Sequence, residues 1–152
     1  MEVIKIAFVP STTGINVPCR LVNYNDKSRN TQITRNNTGR YTASFLTKAD
    51  IDETEAAYPV INVTCQGPEN SGTVVNVLNP TAKYQPKNKE GYNYLVRFQI
   101  ETKNVVNSVT LPIALLTLLG FTFNVTQFVD RSVVMLSCEL HCWNQKYACE
   151  CG

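Results

Sequence analysis

Histidine and tryptophan each occur once in the 152 residues, and charge is sparse: 14 basic against 12 acidic side chains, a formal net charge of +2. These shortages remove several function classes at once. The basic residues fall in small groups, so no cationic stripe is available for a nucleic acid backbone and no basic face for a membrane surface. Aromatic residues fall mainly on inward strand positions without interleaved basic residues, so base stacking and nucleic acid binding are not expected. A cysteine nucleophile would need a base, and the only imidazole, His141, is the sequence neighbour of Cys142. Adjacent strand residues leave on opposite faces, which makes that pair a poor dyad. The chain contains no Gly-x-Ser-x-Gly elbow, phosphate loop, dinucleotide fingerprint or His-Glu-x-x-His helix. No enzymatic activity, cofactor or small-molecule substrate is expected. The N-terminal residues show no basic leader followed by a long apolar run, so the expectation is either use without secretion or a leader already removed.

What the chain has instead is Asn and Thr, 16 of each, and 17 Val, with little of the Ala and Lys that fill helix surfaces. That composition favours strands and polar turns. The clearest strand follows the turn Asn36-Asn37-Thr38-Gly39, where Tyr41, Ala43 and Phe45 alternate with Arg40, Thr42 and Ser44. Period two belongs to a half-buried strand, and Gly39 supplies the backbone freedom of the turn. The same pattern predicts strands over 2–9 (Ile4, Ile6 and Phe8 on one face), 17–24 (Cys19 and Leu21 inward), 59–65 (Ile61, Val63, Cys65) and 92–100 (Tyr94, Val96, Phe98, Ile100). A further strand is expected over 73–78, with polar or exposed loops over 23–30 and 79–91. Residues 121–129 and 132–138 read as the two arms of a hairpin turning at Asp130 and Arg131. Asp50, Asp52, Glu53 and Glu55 lie close together, but without the glycine and distant glutamate of a calcium loop they read as a solvated acidic turn or short helix. Gly, Pro and Asn concentrate over 66–72, which separates 1–66 from a second β-rich lobe at 73–152 unless the chain is one continuous domain.

Residues 1–66 resemble the immunoglobulin-like modules of tailed-phage structural proteins. The likeness rests on two strands, an Asn/Asp-rich turn, the Gly39-x-Tyr41 strand with Ala43 and Phe45, and a last strand. It covers under half of the chain. It implies a β-sandwich used for display, cementing or attachment, and it carries over no catalytic residues. The Cys, Trp, Cys order of antibody domains is missing, because the only tryptophan is Trp143.

From Asn104 to Val129 there are 26 residues without a charge. A membrane span needs about 20 mostly apolar residues. Asn107, Ser108, Asn124 and Gln127 interrupt this run and leave an apolar piece at 111–119 that is too short to cross a bilayer. Pro112 near its start and Gly120 just past its end suit one short helix, apolar nearly all round and therefore buried. Leu111, Ile113, Leu115, Leu116, Leu118, Leu119 and Phe121 are the candidate subunit contacts, because such a helix in so small a chain is expected to be covered by a partner.

Six cysteines remain to be placed. Cys19 and Cys65, on inward faces of two strands, would form an inter-sheet disulfide if their Cα atoms came within roughly 7 Å, or remain buried thiols acting as small hydrophobes. Cys138, Cys142, Cys149 and Cys151 crowd the C-terminus around His141. In a hairpin turning near 144–146, Cys142 would face Cys149, with Cys138 and Cys151 offset, which suits one or two cross-strand disulfides. Zinc is the second reading by ligand count, although the Cys-x3-Cys and Cys-x-Cys spacings are not those of familiar zinc knuckles; free thiols are the third. No metal ligand set is assigned.

The fold expected is all-β: an immunoglobulin-like or jelly-roll-like sandwich with one short buried helix near 111–119 and a Cys-rich C-terminal hairpin. The function expected is that of a non-enzymatic virion protein (capsid, decoration or cement, or tail component) acting by assembly as a homo-oligomer or with other virion proteins. The alternative is a secreted, disulfide-stabilised adhesion or receptor-binding module with glycans at the sequons of Asn36, Asn62 and Asn124. A small zinc-binding regulator built on the C-terminal cysteines is the second alternative.

Overall fold

The computed structural model describes residues 3–11, 13–65, 72–86, 91–106, 125–130 and 133–142, and these form two antiparallel sheets in a sandwich-like arrangement. The four-stranded sheet runs in the order β3 (Arg20–Tyr24), β1 (Ile4–Val9), β10 (Val134–Cys142), β6 (Ala57–Cys65). The six-stranded sheet runs β2 (Val17–Pro18), β4 (Ser28–Asn37), β5 (Arg40–Thr47), β8 (Tyr94–Val106), β7 (Gly72–Tyr84), and β9 (Val125–Phe128) pairs with the far end of β8. Both sheets take strands from either side of 66–72. No helix occurs among the described residues. The expected helix at 111–119, with the contact candidates Leu111 to Phe121, lies outside them, as do Cys149 and Cys151.

The alternation read from the sequence is what brings the sheets face to face. Ile4, Ile6 and Phe8 of β1 and Val134, Leu136, Cys138 and Leu140 of β10 form one inner face. Tyr41, Ala43 and Phe45 of β5 and Tyr94, Val96, Phe98 and Ile100 of β8 form the other, and all are buried. Phe8 meets Tyr41 edge-on across the gap, with ring centroids 5.5 Å apart, and within the six-stranded sheet Phe45 meets Phe98 of the neighbouring strand at 6.2 Å. Burying such side chains stabilises by roughly 1.5–3 kcal/mol each, so a slip of one residue in either strand would turn that gain outward.

Three local expectations change. The strand expected over 17–24 breaks at Cys19, with β2 in the six-stranded sheet and β3 in the other. Pro18 has no amide hydrogen to continue the ladder, and Cys19 N donates to Ile33 O at 2.8 Å as the chain crosses between sheets. The hairpin expected over 121–138 does not pair its own arms: β9 joins β8, while β10 lies between β1 and β6. The chain crosses a second time at Asp130. Finally, β7 continues to Tyr84 rather than ending at Leu78, because Asn79 takes a left-handed conformation (φ 52°) at a register shift before Pro80. On a sheet edge the missing Pro80 amide removes no bond to an outer neighbour.

Gly39 is where these paths converge. Its φ is +65°, and a Cβ there would lie 2.5 Å from Thr102 O and 2.9 Å from Val129 N and Val129 O. Those backbone atoms are themselves tied, Thr102 N to Gly39 O at 2.8 Å and Val129 N to Thr102 O at 3.1 Å. Gly39→Ala is therefore expected to cost about 3 kcal/mol or more, a left-handed penalty plus displaced backbone. Gly91→Ala, also at positive φ (85°) but meeting only Lys48 Cε at 3.8 Å, is expected to cost about 1 kcal/mol. Urea unfolding of the two variants checks this; equal losses would show that the close approach at Gly39 has no energetic weight.

Candidate functional site

Arg35 occupies an inward position of β4, opposite Tyr41 of β5, where a charge needs a partner. Its partner is Asp130. Arg35 Nη2 donates to Asp130 Oδ2 at 2.9 Å, and Nε lies 3.3 and 3.2 Å from Oδ1 and Oδ2. The remaining guanidinium hydrogens reach Gly14 O and Thr38 Oγ1, the latter at 3.0 Å. The carboxylate also accepts the Gly39 amide at 3.0 Å and the Tyr41 hydroxyl at 2.5 Å. Side-chain exposure of the ion pair is 7% and 12%, so solvent contributes little to either charge. Burial by itself would raise the Asp130 pKa, but the Arg35, Gly39 and Tyr41 hydrogen bonds outweigh it and hold the carboxyl below its ordinary value of 3.8. Burial, followed by the hydrogen bond to Asp130, pushes the Tyr41 phenol far up. Every group in this cluster is satisfied and fixed in one charge state. Its chemistry is that of a clamp, holding both sheet crossings together.

Four of the six cysteines lie among the described residues. Among the described residues, no disulfide joins Cys19, Cys65, Cys138 or Cys142. The register explains why the three in the four-stranded sheet do not bridge: Cys65 lies opposite Val134, Cys138 between Ile4 and Ile61, and Cys142 opposite Ala57. Cys19 sits at the sheet crossing, its thiol pKa raised first by burial. Burial, with a smaller contribution from Glu139, pushes the Cys138 thiol up to about 12. Both are protonated, unreactive core residues at neutral pH. His141 turns away from this side, stacking on Tyr58 at 5.7 Å and approaching Glu139 Oε2 at 3.2 Å.

The acidic turn is tied by hydrogen bonds to its backbone. The Tyr94 hydroxyl donates to Ile51 O and Asp52 O at 2.9 and 3.2 Å, and Glu55 N donates to Asp52 O at 2.9 Å. Among the described residues, no three His, Cys, Asp or Glu side chains converge as a metal site. Nor is any helix there long and apolar enough to cross a membrane.

The surface feature that composition did not reveal lies on the outer face of the four-stranded sheet. A groove of about 340 Å³ is floored by β1 and β10 and walled by β3 and β6. Lys5, Tyr24, Asn62, Thr64, Met135 and Ser137 line it. Met135 is 43% exposed, a large value for an apolar side chain in a sheet face. Period-two reading points Lys5 and Ala7 outward, but the convergence of β3 and β6 on them is a consequence of strand order, which no single segment encodes.

The Asp130 clamp sets the acid limb of stability. Its folded pKa is depressed, so its contribution is complete above the unfolded value and is lost as pH falls through the folded one. Thermal unfolding is expected to hold steady near neutrality and weaken below about pH 4. Asp130→Asn is expected to cost about 3 kcal/mol at neutral pH and to flatten that limb; a variant that keeps the wild-type acid slope would contradict the assignment. No protein-family model, curated protein or solved structure matches the chain.

Proposed function

We propose that this protein is a non-enzymatic component of a virus or phage particle, an immunoglobulin-like or jelly-roll-like sandwich that works by assembling with its own copies or with other particle proteins. One observation carries the reading: the sequence between Val106 and Val125 carries no charge, and those two flanking residues are cross-strand partners at one end of the six-stranded sheet. A subunit contact without charges suits an interface whose core is depleted of charged residues. Support also comes from the described sites, where the buried ionisable groups serve as structural ties and offer no exposed nucleophile with a base.

A second reading, a secreted adhesion or receptor-binding module, draws on Asn62 and Thr64, both exposed on the outer face of β6 within a glycosylation sequon. Glycan mass on protein from its natural source would favour it.

Native mass spectrometry of the purified chain is expected to show an oligomer. Leu115→Asp and Leu118→Asp are each expected to reduce it to monomer while leaving the strand signature of circular dichroism intact. An oligomer unchanged by both substitutions would sink the assembly reading.

A further inference from the structure

We propose that the outer face of the six-stranded sheet binds a sulfated polysaccharide laid along β8, with Arg97 and Arg40 as the principal sulfate contacts and Gln99 between them as a hydroxyl partner. This goes beyond the assembly reading and does not depend on it. Basic residues are scattered along the sequence, but strand pairing gathers them. The strands of this sheet hold six, Arg29, Arg35, Arg40, Lys83, Arg97 and Lys103, against one carboxylate, Glu101. Arg35 points inward to Asp130, and the other five fall on outward positions. Register fixes their order. Arg97 lies opposite Ser44 and Thr81, Gln99 opposite Thr42 and Leu78, Glu101 opposite Arg40 and Asn76, and Lys103 opposite Phe128. At about 3.3 Å per residue, Arg97 and Lys103 stand roughly 20 Å apart along β8, with Arg40 beside the interval.

The acidic groups near this face are already engaged. Glu101 lies 3.5 Å from Lys103 Nζ, and at one corner Asp26 takes up Arg29 at 2.8 Å. The acidic turn packs at the end of the sandwich, where Ile51 joins the core and the inward Tyr94 holds its backbone. Arg40, Arg97 and Lys83 are exposed, and among the described residues none of the three has an ion partner. They are the surplus charge of the face, so an anionic ligand is favoured. Between Arg40 and Gln99 a depression of about 270 Å³, bordered also by Asn36 and Leu78, leaves room for one sugar ring. A shallow face with separated cations suits a ligand that repeats its anion along a chain, because each further contact then forms within one complex. Sulfate oxygens match the planar fork of arginine, and the Gln99 amide with the Thr42 and Ser44 hydroxyls both donates and accepts, as sugar hydroxyls do. A nucleic acid strand would instead stack its bases on open aromatic rings. Phe128, the ring among these cations, already carries Arg40 at 4.2 Å and Lys103 at 4.6 Å.

The test is a titration of the isotopically labelled full chain, followed by amide NMR shifts, with three probes. They are a heparin octasaccharide, the same octasaccharide after chemical desulfation, and an oligothymidylate of similar length. The sulfated chain is expected to shift amides of β5, β7 and β8. Its affinity should fall about tenfold between about 50 and 200 mM salt, the counterion release expected of roughly two to three charge contacts. Arg97→Gln and Arg40→Gln should each weaken it about three- to fivefold, the upper range of an exposed ion pair, and together about tenfold or more. Lys5→Gln, on the other sheet, should leave it unchanged. No binding of the sulfated chain, equal binding of the desulfated one, tighter binding of the oligothymidylate, or wild-type affinity in the double variant would overturn the proposal. Circular dichroism of Arg40→Gln separates lost binding from lost fold, and Arg97→Gln removes no contact of the fold's own ion pairs.

Discussion

The carboxylate of Asp130 is the point on which both sheet crossings depend. Between β9 and β10 the chain must leave one sheet and enter the other, and Asp130 marks that step by accepting hydrogen bonds from β4, the β4–β5 turn and β5. The other crossing, at Cys19, lies close enough for the charges of Arg35 and Asp130 to act on its thiol. Gly39 makes the convergence sterically feasible, since backbone atoms of Thr102 and Val129 occupy the space a side chain would need. Removing either charge would leave the other buried, which is costly, while replacing both with apolar groups need not be. The pair therefore specifies where the chain turns more than it adds to stability.

Much of the fold was legible because one face of each long strand is apolar at period two. Tyr41, Ala43 and Phe45, or Tyr94 to Ile100, name their inner faces without help from the rest of the chain. The sheet crossings were not legible. Residues 17–24 and 121–138 each read as continuous local structure, and only tertiary contacts decide that Cys19 and Asp130 divide them between sheets. One signal was present: Arg35 stands in phase with Ile33, on the side that should be buried. A charge in that phase calls for a buried counter-charge, although the sequence alone does not say that it lies at Asp130.

The candidate sites divide along the same line. Buried ionisable groups, the Arg35–Asp130 pair and the Cys19 and Cys138 thiols, are held in one protonation state by their surroundings and act structurally. Two surface features are built by strand order: the groove between β3 and β6, and the end of the sandwich where Val106 meets Val125. The groove escaped sequence reading because Lys5, Tyr24, Asn62 and Met135 come from four separate strands. Sequence patterning identifies a face of one strand, and the neighbours of that face are set by topology.

The most direct test of the clamp is a double-mutant cycle on Arg35→Gln and Asp130→Asn, read by denaturant unfolding at neutral pH. The account predicts strong coupling, with the double variant losing no more stability than the worse single variant, because each single change strands a buried polar partner. Losses that simply add would contradict it, and would mean that the two side chains act independently of one another.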